Sequence, residues 1–286
     1  MKQVLIYGPR KAGTTLFQRL LDGDENFFVH PDETKIKLFL KDVKKPGRDF
    51  ASLNENKVRG RYFRSANKKW AEVDEKVYKN HILKDFKSIV SLQDYIELDI
   101  EASMNAMGIA PSEMNGWAIK EISGQTRQII NAFLNAFPDG KVLAIHRDPR
   151  DISNAVLREK KKLNSKMTVK RAFNIASQPY GELRELNTFK ENPRLLHVYY
   201  EKLVADTEAV MKDVCGFLEV SYSDIFSKPT IKGVDCMVPT SSKETKKVFN
   251  SKRSLRKGIS LSQYLFILFF AILNFGQLSN YKKGLK

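Results

Sequence analysis

The sequence predicts a three-layer α/β fold, in which helices cover both faces of a parallel sheet. Short apolar runs rich in β-branched and aromatic residues recur along the chain, and longer segments with helical periodicity separate them. A chain of 286 residues can bury a substantial core, and its 42% hydrophobic and 29% charged residues are ordinary for a globular protein. The sequence contains no internal repeat that would favour a solenoid.

Five predicted strands and six predicted helices alternate along the chain. The strands are predicted at residues 4–7, 27–29, 117–119, 142–145 and 195–199, each an apolar run bounded by turn residues. The helices are predicted at residues 14–21, 92–107, 126–137, 150–160, 169–189 and 208–218. Because ligands of open α/β sheets bind beyond the carboxyl ends of the strands, the loops after the first four strands are the expected site.

A single domain of residues 1–286 accommodates these elements. Residues 41–91 are polar and basic and interrupt the alternation, so we interpret them as an insertion that shapes an acceptor site. Residues 261–286 form a C-terminal tail, with an apolar stretch at residues 264–273 followed by lysines. This stretch is well short of the ~20 residues that span a bilayer. It is interpreted either as a helix packed on the sheet or as a helix that lies in a membrane interface.

The formal charge of +16 is concentrated near the C-terminus, where residues 236–286 carry ten basic side chains against one acid, Glu244. Such asymmetry indicates a polyanionic partner: a charged nucleotide, an acidic substrate, nucleic acid or an anionic membrane. Cys215 and Cys236 are too few for a disulfide framework and lack the spacing of a zinc site. Together with an N-terminus that lacks a signal-peptide pattern, they predict a cytoplasmic protein, and the tail adds the hypothesis of peripheral membrane contact.

A glycine-containing loop joins the first strand to the first helix, and its sequence is Gly8-Pro9-Arg10-Lys11-Ala12-Gly13-Thr14-Thr15. Glycines let several backbone N–H groups converge on phosphate oxygens, and the helix N-terminus adds partial positive charge. A Walker A loop places Lys directly after its second glycine, followed by the Ser or Thr that holds magnesium. Here Thr14 occupies that position and the cation has moved back to Lys11. The fold prediction is therefore P-loop NTPase-like, whereas an ordinary kinase or ATPase is disfavoured.

A second segment suited to phosphate follows the fourth strand, and it consists of Arg147-Asp148-Pro149-Arg150-Asp151. The Asp-Pro pair suits the start of a helix, where proline is tolerated in the first turn. Arg147 stands at the carboxyl end of the strand, where its guanidinium can make a bidentate contact with a phosphate. The alternative interpretation is a surface cluster that caps the helix.

These two segments make the chain resemble the family of sulfotransferases that use 3′-phosphoadenosine 5′-phosphosulfate (PAPS). The nearest motif similarity is to the protein-tyrosine and carbohydrate branches. The resemblance implies that the nucleotide is bound by Arg10, Lys11, Ala12, Gly13, Thr14, Thr15 and Arg147. It assigns the 3′-phosphate to Arg147 and to a Ser eight residues later, but this chain has Ala155 there, and Ser153 stands two residues early.

Two further segments resemble the family more weakly. Arg256-Lys257-Gly258 is similar to a basic loop that wraps the 3′-phosphate in cytosolic members, without its second glycine. Tyr200-Glu201-Lys202-Leu203 looks like a conserved segment that we interpret as structural. The pair Ser241-Ser242 is weakly similar to an Asn-Ser-Ser loop near the nucleotide.

The resemblance also implies catalytic residues. Glu33-Thr34-Lys35 looks like a segment of the tyrosine branch in which the Glu before Thr is the base, so Glu33 is the expected base. His30 is the alternative, because cytosolic members use a histidine. Lys11 is expected to stabilise the leaving phosphate, and Lys120 resembles a second catalytic lysine. No metal site is expected.

The implied reaction moves a sulfuryl group from PAPS to a hydroxyl or amine of a carbohydrate, a lipid or a small molecule by in-line transfer. Two alternatives stay open. One is a kinase-like P-loop enzyme that requires magnesium, and the other is a non-enzymatic basic protein that binds nucleotides or nucleic acid. The aromatic residues of the tail form one apolar block instead of alternating with basic residues, so no nucleic-acid partner is expected.

Overall fold

The computed structural model describes residues 1–43, 73–122, 124–236, 238–239, 244–245 and 257–285. The chain divides into two compact units. Unit 1 comprises Met1–Ile6, Asp24–Glu121 and Gln128–Val142. Unit 2 comprises Tyr7–Gly23, Ile122–Arg127 and Leu143–Lys286. The prediction of one domain stays a prediction.

The main sheet contains five strands: β1 (Lys2–Tyr7), β2 (Phe27–Glu33), β3 (Gly116–Glu121), β4 (Lys141–His146) and β5 (Leu195–Tyr199). They are parallel and lie in the order β2-β3-β1-β4-β5. Every residue of β3 is buried, as is typical of a strand inside a sheet that is covered on both faces. The predicted α/β fold with a parallel sheet is confirmed.

The α-helices are α1 (Thr14–Leu21), α2 (Ile36–Val43), α3 (Glu75–Asp85), α4 (Leu92–Ala106), α5 (Thr126–Ala136), α6 (Pro149–Lys162), α7 (Val169–Asn187), α8 (Tyr200–Ala205), α9 (Thr207–Leu218), α10 (Leu261–Leu273) and α11 (Phe275–Gly284). Short antiparallel pairs are formed by β6 (Thr230–Ile231) with β7 (Val234–Asp235) and by β8 (Val238–Pro239) with β9 (Glu244–Thr245). Each of the six predicted helices is present, with ends that shift by at most two residues.

Strand β2 of unit 1 is longer than predicted. It pairs with β3 from Phe27 opposite Gly116 to Glu33 opposite Lys120, and its register shifts between Val29 and Glu33. That stretch contains Pro31, which has no N–H to donate to a neighbouring strand. The chain regains the pairing at Glu33, so the polar residues that follow the apolar run still belong to the strand.

Helix α10 of unit 2 packs on α6 and α7 through one of its faces. Ile267 is completely buried against Leu157, Ala172 and Ala176. The ring of Phe270 lies 4.7 Å from that of Phe173 on α7. The predicted apolar stretch at residues 264–273 is therefore helical and contributes one face to the core of unit 2.

No single helix among the described residues is long and apolar enough to cross a membrane. The successive helices α10 and α11 reach the required length and composition only as a pair, and the chain bends by 80° between them.

Candidate active site

The loop after β1 brings backbone N–H groups together by turning twice through the left-handed region. Lys11 has φ 69° and Gly13 has φ 106°, and the N–H of Ala12 donates to the carbonyl of Pro9 at 3.0 Å. Helix α1 begins at Thr14, with Gly13 as an N-cap that supplies no side-chain hydrogen bond to the first turn. Because an uncapped helix start with curled backbone before it attracts anions, this loop can hold a phosphate.

Glycine is required at both ends of this loop. A Cβ at Gly13 would lie 2.4 Å from Cδ2 of Tyr200, and a Cβ at Gly8 would lie 2.4 Å from Cγ2 of Ile145. Gly13 also has a positive φ, which a residue with a side chain adopts only with strain. The Tyr200 ring thus packs directly against the loop, which is consistent with the structural role that we inferred for its segment.

The two cations of the loop share one carboxylate. Nζ of Lys11 lies 2.7 Å from Oε1 of Glu159, and Nη2 of Arg10 lies 2.6 Å from Oε2. Burial would raise the pKa of Glu159, but the hydrogen bonds and charges of Lys11 and Arg10 outweigh burial and lower it. Glu159 on α6 is therefore ionised and holds both cations, a partner that no motif in the sequence indicated.

Arg147 connects the second predicted segment to this loop. Its Nη1 donates to the carbonyl of Lys11 at 2.9 Å, and its guanidinium carbon lies 4.4 Å from the centre of the Tyr200 ring. Its Nε is buried without a hydrogen-bond partner among the described residues. The structure therefore brings Lys11, Gly13 and Arg147 together within unit 2, although they come from loops that are 134 residues or more apart in the sequence.

The residues after Arg147 are fixed by hydrogen bonds within unit 2. The side chain of Asp148 caps α6 by accepting from the N–H of Arg150 at 2.9 Å. The backbone N–H of Asp148 donates to Glu201 at 3.1 Å, and Glu201 also accepts from the hydroxyl of Tyr281 on α11. The backbone at Arg147 is thus supported by α8 and by the C-terminal helix.

Ser153 cannot replace the hydroxyl that the family has at position 155. It is fully buried, and its hydroxyl donates to the carbonyl of Pro149 at 2.9 Å within its own helix. Ala155 is buried and carries no polar group.

The other predicted nucleotide residues are placed as follows. Ala12 and Thr14 are buried, and Thr15 is half-buried at the start of α1. Lys257 is exposed, and Gly258, with φ 85°, packs against the side chain of Arg158 on α6. Arg256, Ser241 and Ser242 lie outside the described residues. The assignments of Arg256, Lys257 and Gly258 to the nucleotide stay predictions.

Two of the three residues predicted to catalyse, Glu33 and Lys120, lie at the carboxyl ends of β2 and β3 in unit 1, and the third, Lys11, lies in the loop after β1 in unit 2. Glu33 is opposite Lys120 in the pairing of the two strands, and Lys120 is buried. Burial raises the pKa of the neighbouring Glu121 well above its usual range, and the charge of Glu33 raises it further. Glu121 accepts from the backbone N–H of Ile36 at 3.0 Å. A half-buried carboxylate at Glu33 therefore lies in a group of ionisable side chains.

His30, the alternative base, belongs to a buried network in unit 1. Its Nε2 lies 3.4 Å from Oδ2 of Asp99, whose Oδ1 accepts from the hydroxyl of Tyr78 at 2.6 Å. Its Nδ1 contacts the backbone of Asp32. Burial alone would lower the pKa of His30, but Asp99 and the other partners outweigh burial and raise it. Both ring nitrogens are thus engaged.

Within the part of the chain that the structure describes, no group of three or more His, Cys, Asp or Glu side chains is arranged to hold a metal ion. Around the loop after β1, positive charge is supplied by the side chains of Arg10, Lys11 and Arg147. Such side chains can neutralise a phosphate without a bound metal.

The chain is similar to known proteins in sequence pattern and in fold. A family model described as "Sulfotransferase family" matches residues 3–224. The sulfotransferase domain of the Synechococcus PCC 7002 olefin synthase is 18% identical, with 95% of this chain and 94% of that chain covered and a TM-score of 0.57. The sulfotransferase domain from the curacin biosynthetic pathway is 15% identical, with 95% and 98% covered and a TM-score of 0.59. No curated protein sequence matches significantly.

Proposed function

Because the chain belongs to the sulfotransferase family, we propose that it moves a sulfuryl group from PAPS to a hydroxyl or amine of an acceptor. The observation that carries this proposal is the contact between the two phosphate-binding segments in unit 2. The guanidinium of Arg147 donates to the carbonyl of Lys11, beside the left-handed Gly13. A nucleotide with phosphates at both its 5′ and 3′ positions needs two such cationic groups close together.

In this proposal the loop binds the 5′ side of the nucleotide and Arg147 binds its 3′-phosphate. The N–H groups around Gly13 and the start of α1 hold the phosphate to which sulfur is attached. Lys11 exchanges Glu159 for that phosphate and stabilises the negative charge that develops on it. Lys257 and Gly258 are proposed to add contacts to the 3′-phosphate, together with Arg256.

The reaction exchanges one bond to sulfur for another. The acceptor oxygen or nitrogen forms a bond to sulfur while the bond from sulfur to the bridging phosphate oxygen breaks. The bisphosphate leaves with that electron pair, and the acceptor proton passes to a base. By analogy with phosphoryl transfer, most of the rate comes from holding the groups in line and from stabilising charge.

We propose Glu33 as the base and Lys120 as a cation that assists transfer. Glu33 is half-buried at the end of β2, and it is paired in register with the buried Lys120 on β3. The competing base, His30, has both ring nitrogens engaged by Asp99 and by the backbone of Asp32. A residue whose nitrogens are already bound has less capacity to accept a proton from an acceptor.

The nucleotide assignment predicts a specific pattern of binding. The product, 3′-phosphoadenosine 5′-phosphate, should raise the melting temperature without magnesium, and it should do so more than ATP with magnesium, because a ligand stabilises the folded state that binds it. Arg147→Ala should weaken binding of this bisphosphate at least about tenfold and binding of adenosine 5′-phosphate far less, as expected for one charged contact. Isothermal titration calorimetry measures both constants.

The control for that experiment is Arg184→Ala, which removes an exposed arginine of α7. It should bind both nucleotides like the unaltered protein. Equal weakening of both nucleotides by Arg147→Ala would contradict the role at the 3′-phosphate. Stabilisation by ATP with magnesium alone would favour the kinase-like alternative.

The assignment of the base predicts a loss of turnover without a loss of nucleotide binding. Glu33→Gln keeps the size of the side chain and removes its basicity, so turnover with PAPS should fall by about 100-fold or more. Affinity for the bisphosphate should stay within about twofold. Glu25→Gln, which alters an exposed acid in the turn before β2, is the control. Activity that survives Glu33→Gln and disappears in His30→Gln would move the base to His30.

The acceptor is proposed to be a carbohydrate, a lipid or a small molecule with a hydroxyl or an amine. Mass spectrometry of acceptor libraries that are incubated with enzyme and PAPS identifies it through the gain of one sulfuryl group. Transfer to no library member, with the bisphosphate nevertheless bound, would favour the alternative of a nucleotide-binding protein without catalysis.

A further inference from the structure

Helix α10 presents an apolar surface to solvent on the side opposite its packed face. The exposed residues of this C-terminal apolar face are Leu261, Leu265, Phe269, Ile272, Leu273 and Phe275. Leu261, Leu265, Phe269 and Leu273 recur every four positions and Ile272 follows Phe269 by three, so these five form one stripe along α10. Ile272 is 75% exposed and Phe275 is 74% exposed. Contiguous apolar side chains of this kind mark a binding surface.

Helix α7 extends the apolar surface. The ring of Phe173 lies 5.8 Å from that of Phe266 and 4.7 Å from that of Phe270, yet Phe173 is itself 40% exposed. Val169, one turn earlier on α7, is also exposed. Phe173 and Val169 therefore join the C-terminal apolar face at the edge where α10 rests on α7.

Exposed lysines occur along the chain close to this surface. Met167 packs against the same buried cluster as Ile267, and the residue before it, Lys166, is exposed. Lys170 is exposed on α7, three positions before Phe173. No Asp or Glu occurs from residue 245 to the end of the sequence. An apolar stripe with a basic border and no acids complements a surface that is apolar inside and anionic outside.

The alternatives to a lipid surface fit these charges less well. A second copy of the chain would carry the same +16 charge and the same basic border, so the two copies would repel each other. Insertion across a bilayer does not fit the length of α10, because its 13 residues give about 20 Å, less than the ~30 Å hydrocarbon thickness.

We propose that α10 is a membrane-docking helix that lies in the interface of an anionic bilayer. The C-terminal apolar face enters the boundary between headgroups and acyl chains, and Lys166 and Lys170 contact anionic headgroups. The opposite face stays packed on α6 and α7 through Ile267. Docking therefore requires no unfolding and no loss of core contacts.

Vesicle co-sedimentation of the full chain tests this proposal. The unaltered protein should sediment with phosphatidylcholine vesicles that contain about a third phosphatidylserine, and much less with phosphatidylcholine alone, because each lysine near an anionic surface favours partition by roughly fivefold. The triple variant Leu265→Gln, Phe269→Gln and Ile272→Gln should lose at least about tenfold of this partition. The variant Lys166→Gln and Lys170→Gln should lose partition only with the anionic vesicles.

The matched control is Val90→Gln, which alters an exposed apolar residue of unit 1 outside the C-terminal apolar face. It should sediment like the unaltered protein. The proposal is overturned if the unaltered protein does not sediment with the anionic vesicles. It is also overturned if the triple glutamine variant sediments with them as well as the unaltered protein does. Sedimentation velocity gives a further test: a dimer that the triple variant converts to a monomer, without vesicle binding in either, would assign the face to a second copy. Calorimetry with the bisphosphate reports the nucleotide site separately.

Discussion

Gly13 has a backbone geometry that a residue with a side chain adopts only with strain, and it lies in the loop of residues 8–15 that we propose binds the nucleotide. Alanine there must adopt φ 106° and place a Cβ 2.4 Å from the Tyr200 ring. We expect Gly13→Ala to destabilise the protein by about 1–3 kcal/mol and to abolish the increase in melting temperature caused by the bisphosphate. Differential scanning fluorimetry with and without the ligand measures both effects.

Gly181→Ala is the matched control for that prediction. Gly181 lies inside α7, and a Cβ there meets nothing within 4 Å. Because alanine is the better helix former, this change should raise stability by up to about 1 kcal/mol and leave the ligand response intact. A normal ligand response in Gly13→Ala would contradict the role of the loop.

Local sequence patterns were sufficient to place some candidate site residues at the ends of strands, and the roles of these residues at the nucleotide stay predictions. Gly13 and Lys11 were predicted from the strand–loop–helix spacing, and Arg147 from its position at the end of a strand. Glu159 was not predicted, because its contact with Lys11 depends on how α6 lies across the loop, 148 residues later in the sequence. An acid between Arg158 and Lys160 has the pattern of an ordinary solvated helix surface.

At the scale of elements, the end of α1 is held by the pair β6–β7. The hydroxyl of Thr230 donates to the carbonyl of Asp22, the C-cap of α1, at 2.7 Å. Burial raises the pKa of the Asp22 carboxyl from 3.8 to about 7, although Arg19 and the backbone N–H groups of the pair act against it. The folded protein thus favours the neutral form of the Asp22 carboxyl.

Asp22→Asn should therefore change how stability depends on pH. The unfolded chain loses the Asp22 proton near pH 3.8 and the folded chain near pH 7, so the unaltered protein loses stability as pH rises through this window. Asparagine does not ionise, so the variant does not lose stability in this window. Its free energy of unfolding should exceed that of the unaltered protein by close to zero at pH 4 and by at most about 4 kcal/mol at pH 8. Urea titrations at both pH values measure it, and an advantage that is the same at both values would contradict the assignment.

The strands and long helices could be predicted because their apolar residues repeat with a clear period. Strand β2 was predicted to end at residue 29, since His30, Pro31 and Asp32 have the composition of a loop. Pairing with β3 extends it to Glu33. Helices α2, α3, α8 and α11 were not predicted: α2 and α8 have only 8 and 6 residues, and α3 and α11 have weakly amphipathic sequences. Their positions follow from tertiary packing, which local periodicity does not encode.

At the scale of the whole molecule, the C-terminal helix supports a residue that we assign to the nucleotide. The hydroxyl of Tyr281 donates to Glu201, which accepts from the backbone N–H of Asp148 next to Arg147. Tyr281→Phe removes the first of these bonds. We expect the dissociation constant of the bisphosphate to rise by roughly fivefold, the value of one ordinary hydrogen bond, and that of adenosine 5′-phosphate to change less.

Tyr264→Phe on α10 is the control, and it should bind both nucleotides normally. If Tyr281→Phe lowers the melting temperature but leaves both dissociation constants unchanged, the hydroxyl has only a structural role. No sequence motif indicated this contact, because residues 148, 201 and 281 belong to elements that only the tertiary fold brings together.

Because Glu159 pairs with Lys11 and Arg10, an anion that binds the loop of residues 8–15 must compete with this carboxylate. Lys11 and Arg10 already hold a carboxylate of their own chain, whose effective concentration at the loop is in the millimolar range or above, as for other tethered ligands. A single monovalent anion from solution would replace one carboxylate by a similar charge, so little free energy of binding would result. A bisphosphate can compensate for the displaced Glu159 through Arg147 and the N–H groups of the loop at the same time. We therefore expect the loop to favour ligands that engage several of its groups at once over single monovalent anions.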